Sequence, residues 1–278
     1  MNFTLLIDNA PSPSQDLSSE HGLSLFCRLD SMGILIDTGM TGMAMVNAEL
    51  LGIDISDIDV LVLSHGHNDH TGGLERFMQL NSKATIYSSP LIARCLYESK
   101  RHGILHDISP DRHTIEKNIS RFRFVDSNMT ISDGITLFFP QYDGFALPAG
   151  NRYLSVREGK SCGDYKANDE IAIAVKERDK VAVISPCSHS GLLNTLHSAE
   201  LLSGISSENI KAYIGGLHLI DEEYENDNVE SLALDFRMKY PGTTLFSSHC
   251  TGEKACKCLK SVLDDRFIRF HTGYTFTI

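Results

Sequence analysis

Short apolar runs separated by Gly, Asp and Ser set the pattern of this chain. "FTLLI" (3–7), "GLSLFCRL" (22–29), "GILIDTG" (33–39) and "DVLVLS" (59–64) are brief, rich in apolar residues and closely punctuated, which predicts strands. After them the apolar period lengthens. "TGMAMVNAELLG" (41–52), closing on Gly52, and "GGLERFMQLN" (72–81) carry apolar positions at helical spacing. The second half repeats the alternation, with strands predicted at "EIAIAVK" (170–176), "KVAVISP" (180–186), "KAYIGGL" (211–217), "TTLFSS" (243–248) and "FTI" (276–278). Helices are predicted at "GLLNTLHSAELL" (191–202), "VESLALDFRMKY" (229–240) and "GEKACKCLKSVL" (252–263). Mixed strands and helices in both halves predict a layered α/β fold, sheets covered by helices. No Pro-rich or low-complexity linker interrupts residues 1–278, which read as a single domain. One stretch, "YESKRHGILHDISPDRHTIEKN" (97–118), is polar and weakly periodic and reads as an insertion or lid.

Composition narrows the function classes. With 278 residues, 42% hydrophobic and 22% charged, the chain can bury a sizeable core. A formal charge of -11 argues against nucleic acid as a partner, because backbone binding relies on clustered Lys and Arg. The start "MNFTLLIDNAPSPSQ" has no basic n-region, and no apolar run approaches the roughly 20 residues of a membrane span, so no membrane association and a cytoplasmic location are expected. Seven irregularly spaced cysteines point to reduced thiols. Nothing in the sequence fixes the oligomeric state.

The chemistry concentrates in "LVLSHGHNDHTGGL" (61–74), where His65, His67, Asp69 and His70 crowd one turn. On an extended segment side chains two apart point the same way, so His65 and His67 can reach one cation together. Asp69 and His70 then turn away, which suits a second cation, with Gly72 and Gly73 allowing close approach. Further candidates lie downstream. His218 in "YIGGLHLI" follows a strand and two glycines, placed to protonate a leaving group, to bind phosphate, or merely to be satisfied at a strand end. Asp169 and Glu170 precede a strand in "KANDEIAIA", and a solvated turn is the alternative there. Cys250, Cys256 and Cys258 lie close in sequence but without C-x-x-C spacing, which predicts inert thiols. The insertion carries Lys100, Arg101, His102, Arg112, His113 and Lys117, a local positive wall for a small anionic substrate.

"SHGHNDHTGG" resembles the signature of the metallo-β-lactamase superfamily. "GLSLF", "LIDTG", "ISPCSHSGLLN", "IGGLHL" and "SSHCTG" extend the likeness from about residue 22 to residue 252, toward a subgroup of metal-dependent hydrolases that also includes an archaeal pterin-condensing synthase. The resemblance implies an αββα sandwich, two mixed sheets flanked by helices. It implies one or two divalent ions, zinc foremost with manganese or iron as alternatives, held by His65, His67, Asp69, His70, His189 and His249, with Asp37 supporting the metal turn. Where the superfamily has Gly-Asp, this chain has Cys187 and His189, so the bridging carboxylate is missing or displaced and Cys187 is an alternative ligand. The activity implied is metal-dependent hydrolysis of an ester, phosphoester or related bond, with Asp69 and His218 in catalytic roles. A synthase or transferase using the metals as Lewis acids is the second reading. An oxygen-handling or redox protein on the same fold is the third, disfavoured because the diiron flavoproteins of the superfamily have Glu where this chain has His67.

Overall fold

A computed structural model describes all 278 residues. Close packing of the backbone divides them into two compact units: residues 1–126, 153–165 and 271–277 form the first, and 127–152, 166–270 and 278 the second.

The first unit is built on a seven-stranded sheet in the order Thr275–Thr277, Asn2–Ile7, Ser24–Leu29, Met32–Ile36, Val60–Val62, Thr85–Ser88 and Phe122–Phe124. Its first four strands pair antiparallel, and from Met32–Ile36 onward the pairing is parallel. Parallel neighbours need a crossover, and the helices Met43–Leu50 and Leu74–Leu80 supply it. Ala44, Met45 and Ala48 of one helix and Leu74 and Phe77 of the other bury with Leu35, Leu61 and Ile86 of the strands in one core. Val60–Val62 is buried along its whole length, which explains its unbroken apolar run. A smaller antiparallel sheet, Ser161–Asp164, Leu154–Glu158, Cys95–Ser99 and His106–Asp107, completes the unit.

The second unit repeats the plan. Its seven strands run in the order Phe267–Arg269, Thr244–Ser247, Ile210–Ile214, Lys180–Ile184, Ala172–Glu177, Ile135–Phe138 and Met129–Ser132. The first four pair parallel and the rest antiparallel. Helices Leu192–Glu200, Val229–Lys239 and Glu253–Leu263 pack their apolar residues, Leu196, Phe236 and Leu259 among them, on the sheet residues Val183, Tyr213 and Leu245. In both units the parallel strands end in loops that hold the chemistry-bearing side chains, the usual place for ligand sites in such sheets. No helix is long and apolar enough to cross a membrane.

Segment 97–118 is only partly a surface excursion. It begins within the strand Cys95–Ser99 and ends just past the helix Arg112–Lys117, whose Ile115 is fully buried in the first unit's core. His102, His106 and His113 are exposed.

Candidate metal centre

The strand Val60–Val62 delivers the first donor set. His65 and His67 follow it with Nε2 of His65 only 3.0 Å from Nδ1 of His67, their rings meeting edge to face at 4.5 Å. His67 then caps the short helix Asn68–Thr71, whose turn brings the His70 ring to 4.3 Å from that of His65 and sets Asp69 Oδ2 3.6 Å from His70 Nε2. The three imidazoles are 1%, 4% and 0% exposed, which rules out a solvated histidine loop. Gly66 is required where the turn passes Tyr97, since a Cβ there would lie 2.2 Å from the ring. That ring meets His67 edge-on at 5.5 Å, and Ile108 of the 97–118 segment accepts a hydrogen bond from Asn68 N at 2.8 Å, so the segment braces the turn.

Asp37 ends the strand Met32–Ile36, fully buried and in the left-handed region at φ +58. Its carboxylate accepts three bonds of 2.7 Å, from Ser64 N, Ser64 Oγ and His70 Nδ1. The protons follow from this arrangement. Ser64 has one hydroxyl hydrogen and gives it to Asp37, so at 2.9 Å it accepts from His65 Nδ1. Both His65 and His70 are therefore held with Nδ1 protonated and with Nε2 bearing a lone pair, the form in which imidazole binds a metal.

The second unit's donors come from three different strand ends. After Lys180–Ile184 come Cys187 and His189, after Ile210–Ile214 comes His218, and after Thr244–Ser247 come His249 and Cys250. Ser188, His218 and His249 all adopt positive φ, +57, +50 and +46, and such strain at non-glycine residues clusters at functional sites. Glu170, which the sequence left open as a solvated turn, is 1% exposed and fixes this loop by accepting from His189 N and Ser190 N at 2.7 Å each. Burial pushes its carboxyl above the usual range, against the pull of those bonds. Asn151 Oδ1 lies 3.0 Å from His189 Nδ1, and its amide donates to His189 O at 2.7 Å. His189 too is thus held with a lone pair on Nε2.

The His218 ring lies 4.3 Å from that of His189, tilted by 56°, and turns Nδ1 to Cys187 Sγ at 3.7 Å, leaving a buried Nε2 with no hydrogen-bond partner. Cys187 Sγ is 3.3 Å from Cys250 Sγ, and Cys250 accepts from His218 N at 3.1 Å. Burial raises the Cys250 thiol, but the Cys187 hydrogen bond and the neighbouring His249 and His218 outweigh it and hold the thiol well below its ordinary value. Two groups of donors, Cys187–His189–His218 and Cys187–His249–Cys250, lie within 4.8 Å of one another. The sequence reading put Cys250 with the inert thiols. The structure separates it from Cys256, buried in a helix core, and places it in the donor cluster. In each unit, buried imidazoles, joined by a carboxylate in the first and by thiols in the second, form a donor set suited to a divalent cation.

Residues 23–146 match the family model of the metallo-β-lactamase superfamily. The whole chain superposes on the crystal structure of Tm1679, a metal-dependent hydrolase of the β-lactamase superfamily, with a TM-score of 0.82, 27% sequence identity and coverage of 100% of this chain and 99% of that one. Over residues 23–146 the chain is thus similar to the metallo-β-lactamase superfamily. It is also 28% identical over 271 residues, 92% of this chain and 89% of the relative, to the 7,8-dihydropterin-6-methyl-4-(β-D-ribofuranosyl)-aminobenzene-5'-phosphate synthase of Methanocaldococcus jannaschii. An uncharacterized protein of the same archaeon is 25% identical over 279 residues, 97% of each chain. The fold class expected from the sequence is the one found, and that fold implies divalent metal binding.

Proposed function

We propose that the protein is a metal-dependent hydrolase acting on an ester, phosphoester or related bond of a small anionic substrate. His65, His67, Asp69 and His70 of the first unit would supply ligands to a divalent cation, as would His189 and His249 of the second, zinc being favoured over manganese or iron. The observation that carries this reading is the buried network in which Asp37 and Ser64 fix the tautomers of His70 and His65 with Nε2 unprotonated in both. A bound divalent cation supplies Lewis acidity, polarising a carbonyl or phosphoryl oxygen and making water acidic enough to ionise near neutral pH. The chain supplies the rest. Asp69, with a side chain 14% exposed, is the carboxylate of the turn that reaches solvent and is placed to orient the attacking water. His218 offers its unpartnered Nε2 to a leaving group or to a substrate oxygen.

A second reading, a synthase that condenses two substrates, is supported by the likeness to the archaeal synthase over 92% of the chain. Metals held by the same donors would then serve as Lewis acids for a phosphate or pterin while His218 manages the proton. One experiment separates the two. Metal content of gently purified protein is measured beside turnover of phosphodiester, lactone and thioester substrates and beside condensation of a dihydropterin with a ribofuranosylaminobenzene phosphate. Metal with hydrolysis supports the first reading, and metal with condensation alone replaces it by the second. Protein that neither carries nor takes up divalent metal sinks both.

A further inference from the structure

Cys187 belongs to both three-donor groups of the second unit, once with His189 and His218 and once with His249 and Cys250. It is 4% exposed and follows a buried parallel strand, where nothing apolar in its setting accounts for its neighbours: a second thiol at 3.3 Å and an imidazole nitrogen at 3.7 Å. A cysteine kept only as a small hydrophobe needs no such partners. The Cys187–Cys250 approach is also built into the backbone. Gly216 faces Cys250 so closely that a Cβ would lie 2.5 Å from its sulfur and 3.1 Å from the His249 ring, so the loop gives up a side chain to let both donors in.

We propose that Cys187 is itself a metal ligand, its thiolate shared by the cation that His189 helps to hold and the cation that His249 and Cys250 help to hold. The inference rests on the metal-dependent reading above and deepens it. A bound cation would take Cys187 as thiolate, its proton passing to solvent, with no change of oxidation state. His218 Nδ1 then donates to the thiolate, which leaves its Nε2 for the substrate. Sulfur ligation also biases the site toward softer ions, so zinc or cadmium is preferred over manganese, which favours oxygen ligands.

Cobalt substitution tests it. Apoprotein loaded with Co(II) is expected to show a near-ultraviolet thiolate-to-cobalt charge-transfer band beside the weaker visible bands of bound cobalt. Cys187→Ser should lose most of the ultraviolet band, Cys250→Ser part of it, and Cys162→Ser, at an exposed position, none. In unmutated protein zinc should slow alkylation of Cys187 by iodoacetamide about tenfold or more, read by peptide mass, which keeps the inference testable where Cys187→Ser fails to fold. Visible bands with no charge-transfer band would overturn thiolate ligation and leave the metal-dependent reading standing. Absence of all cobalt bands would overturn both. A Cys187–Cys250 disulfide that persists in fully reduced buffer, or zinc that leaves Cys187 alkylation unchanged, would also overturn the inference.

Discussion

Replacing Asp37 tests the proton assignment on which the first donor set depends. The carboxylate is fully buried and accepts three bonds of 2.7 Å. In Asp37→Ala, Ser64 Oγ can turn elsewhere, but Ser64 N and His70 Nδ1 are left as buried donors at roughly 1–3 kcal/mol each. Alanine at φ +58 adds strain of about 1 kcal/mol. The sum predicts a loss of about 3–7 kcal/mol. Asp37→Asn separates stability from metal binding. Asparagine tolerates the left-handed backbone and its oxygen still accepts from Ser64 N, so about 1–2 kcal/mol should be lost. Its amide hydrogens, however, now point at His70 Nδ1, which must give up its proton to accept. The proton moves to Nε2, and the lone pair meant for the metal disappears. Denaturant unfolding of chelator-stripped protein should therefore rank wild type, Asp37→Asn, Asp37→Ala, while competition titration with zinc should show affinity down by about 10–100-fold in Asp37→Asn. Wild-type zinc affinity in Asp37→Asn would refute the tautomer argument. Wild-type unfolding of Asp37→Ala would refute the burial accounting.

His67→Ala should reduce metal content and activity together; stoichiometric metal with unchanged activity would remove His67 from the donor set. Gly66→Ala, whose Cβ would meet the Tyr97 ring at 2.2 Å, should lose about 1–3 kcal/mol by overpacking. In a double-mutant cycle with Tyr97→Ala the combined loss should fall short of the sum, and strict additivity would contradict the contact. Glu170 has its folded pKa raised above the ordinary 4.5, mainly by burial, so the native state holds its proton where the unfolded chain has released it. Its contribution to stability is full below the ordinary value and is lost as pH rises through the folded one. Urea midpoints measured from about pH 4 to pH 8 should decline more steeply in wild type than in Glu170→Gln, and parallel profiles would contradict the shift.

How much of this was legible depended on whether a feature was local. The histidine turn was readable because strand, candidate ligands and helix start lie within fourteen consecutive residues, and periodicity placed Asn2–Ile7, Ser24–Leu29, Met32–Ile36 and Lys180–Ile184 close to where they fold. The strands Cys95–Ser99, Leu154–Glu158 and Ser161–Asp164 went unread. They form the small antiparallel sheet, where charged and apolar residues share mostly exposed or half-buried faces, so the alternation that marks a strand is weak. Segment 97–118 looked polar for the same reason, although Ile115 anchors it in the core. Asn151 gave no signal at all. An asparagine in an irregular loop becomes meaningful only when folding sets it 3.0 Å from a histidine nitrogen 38 positions away. Glu170 was seen but left open, because sequence shows a charge and not its burial.

The same contrast bears on how the two donor sets are made. In the first unit one turn carries four candidate ligands, and its geometry follows from a single strand end braced by Tyr97 and Ile108. In the second unit each donor pair hangs on a different strand of one parallel stretch, Lys180–Ile184, Ile210–Ile214 and Thr244–Ser247. Their approach therefore depends on strand register, and a shift of one residue would turn every side chain to the other face. That arrangement demands sharp corrections at the strand ends, and the left-handed conformations of Ser188, His218 and His249 are those corrections. It also explains why Cys187 and Cys250, 63 residues apart, escaped notice as a pair. Nothing in their spacing joins them; the parallel pairing of the intervening strands does.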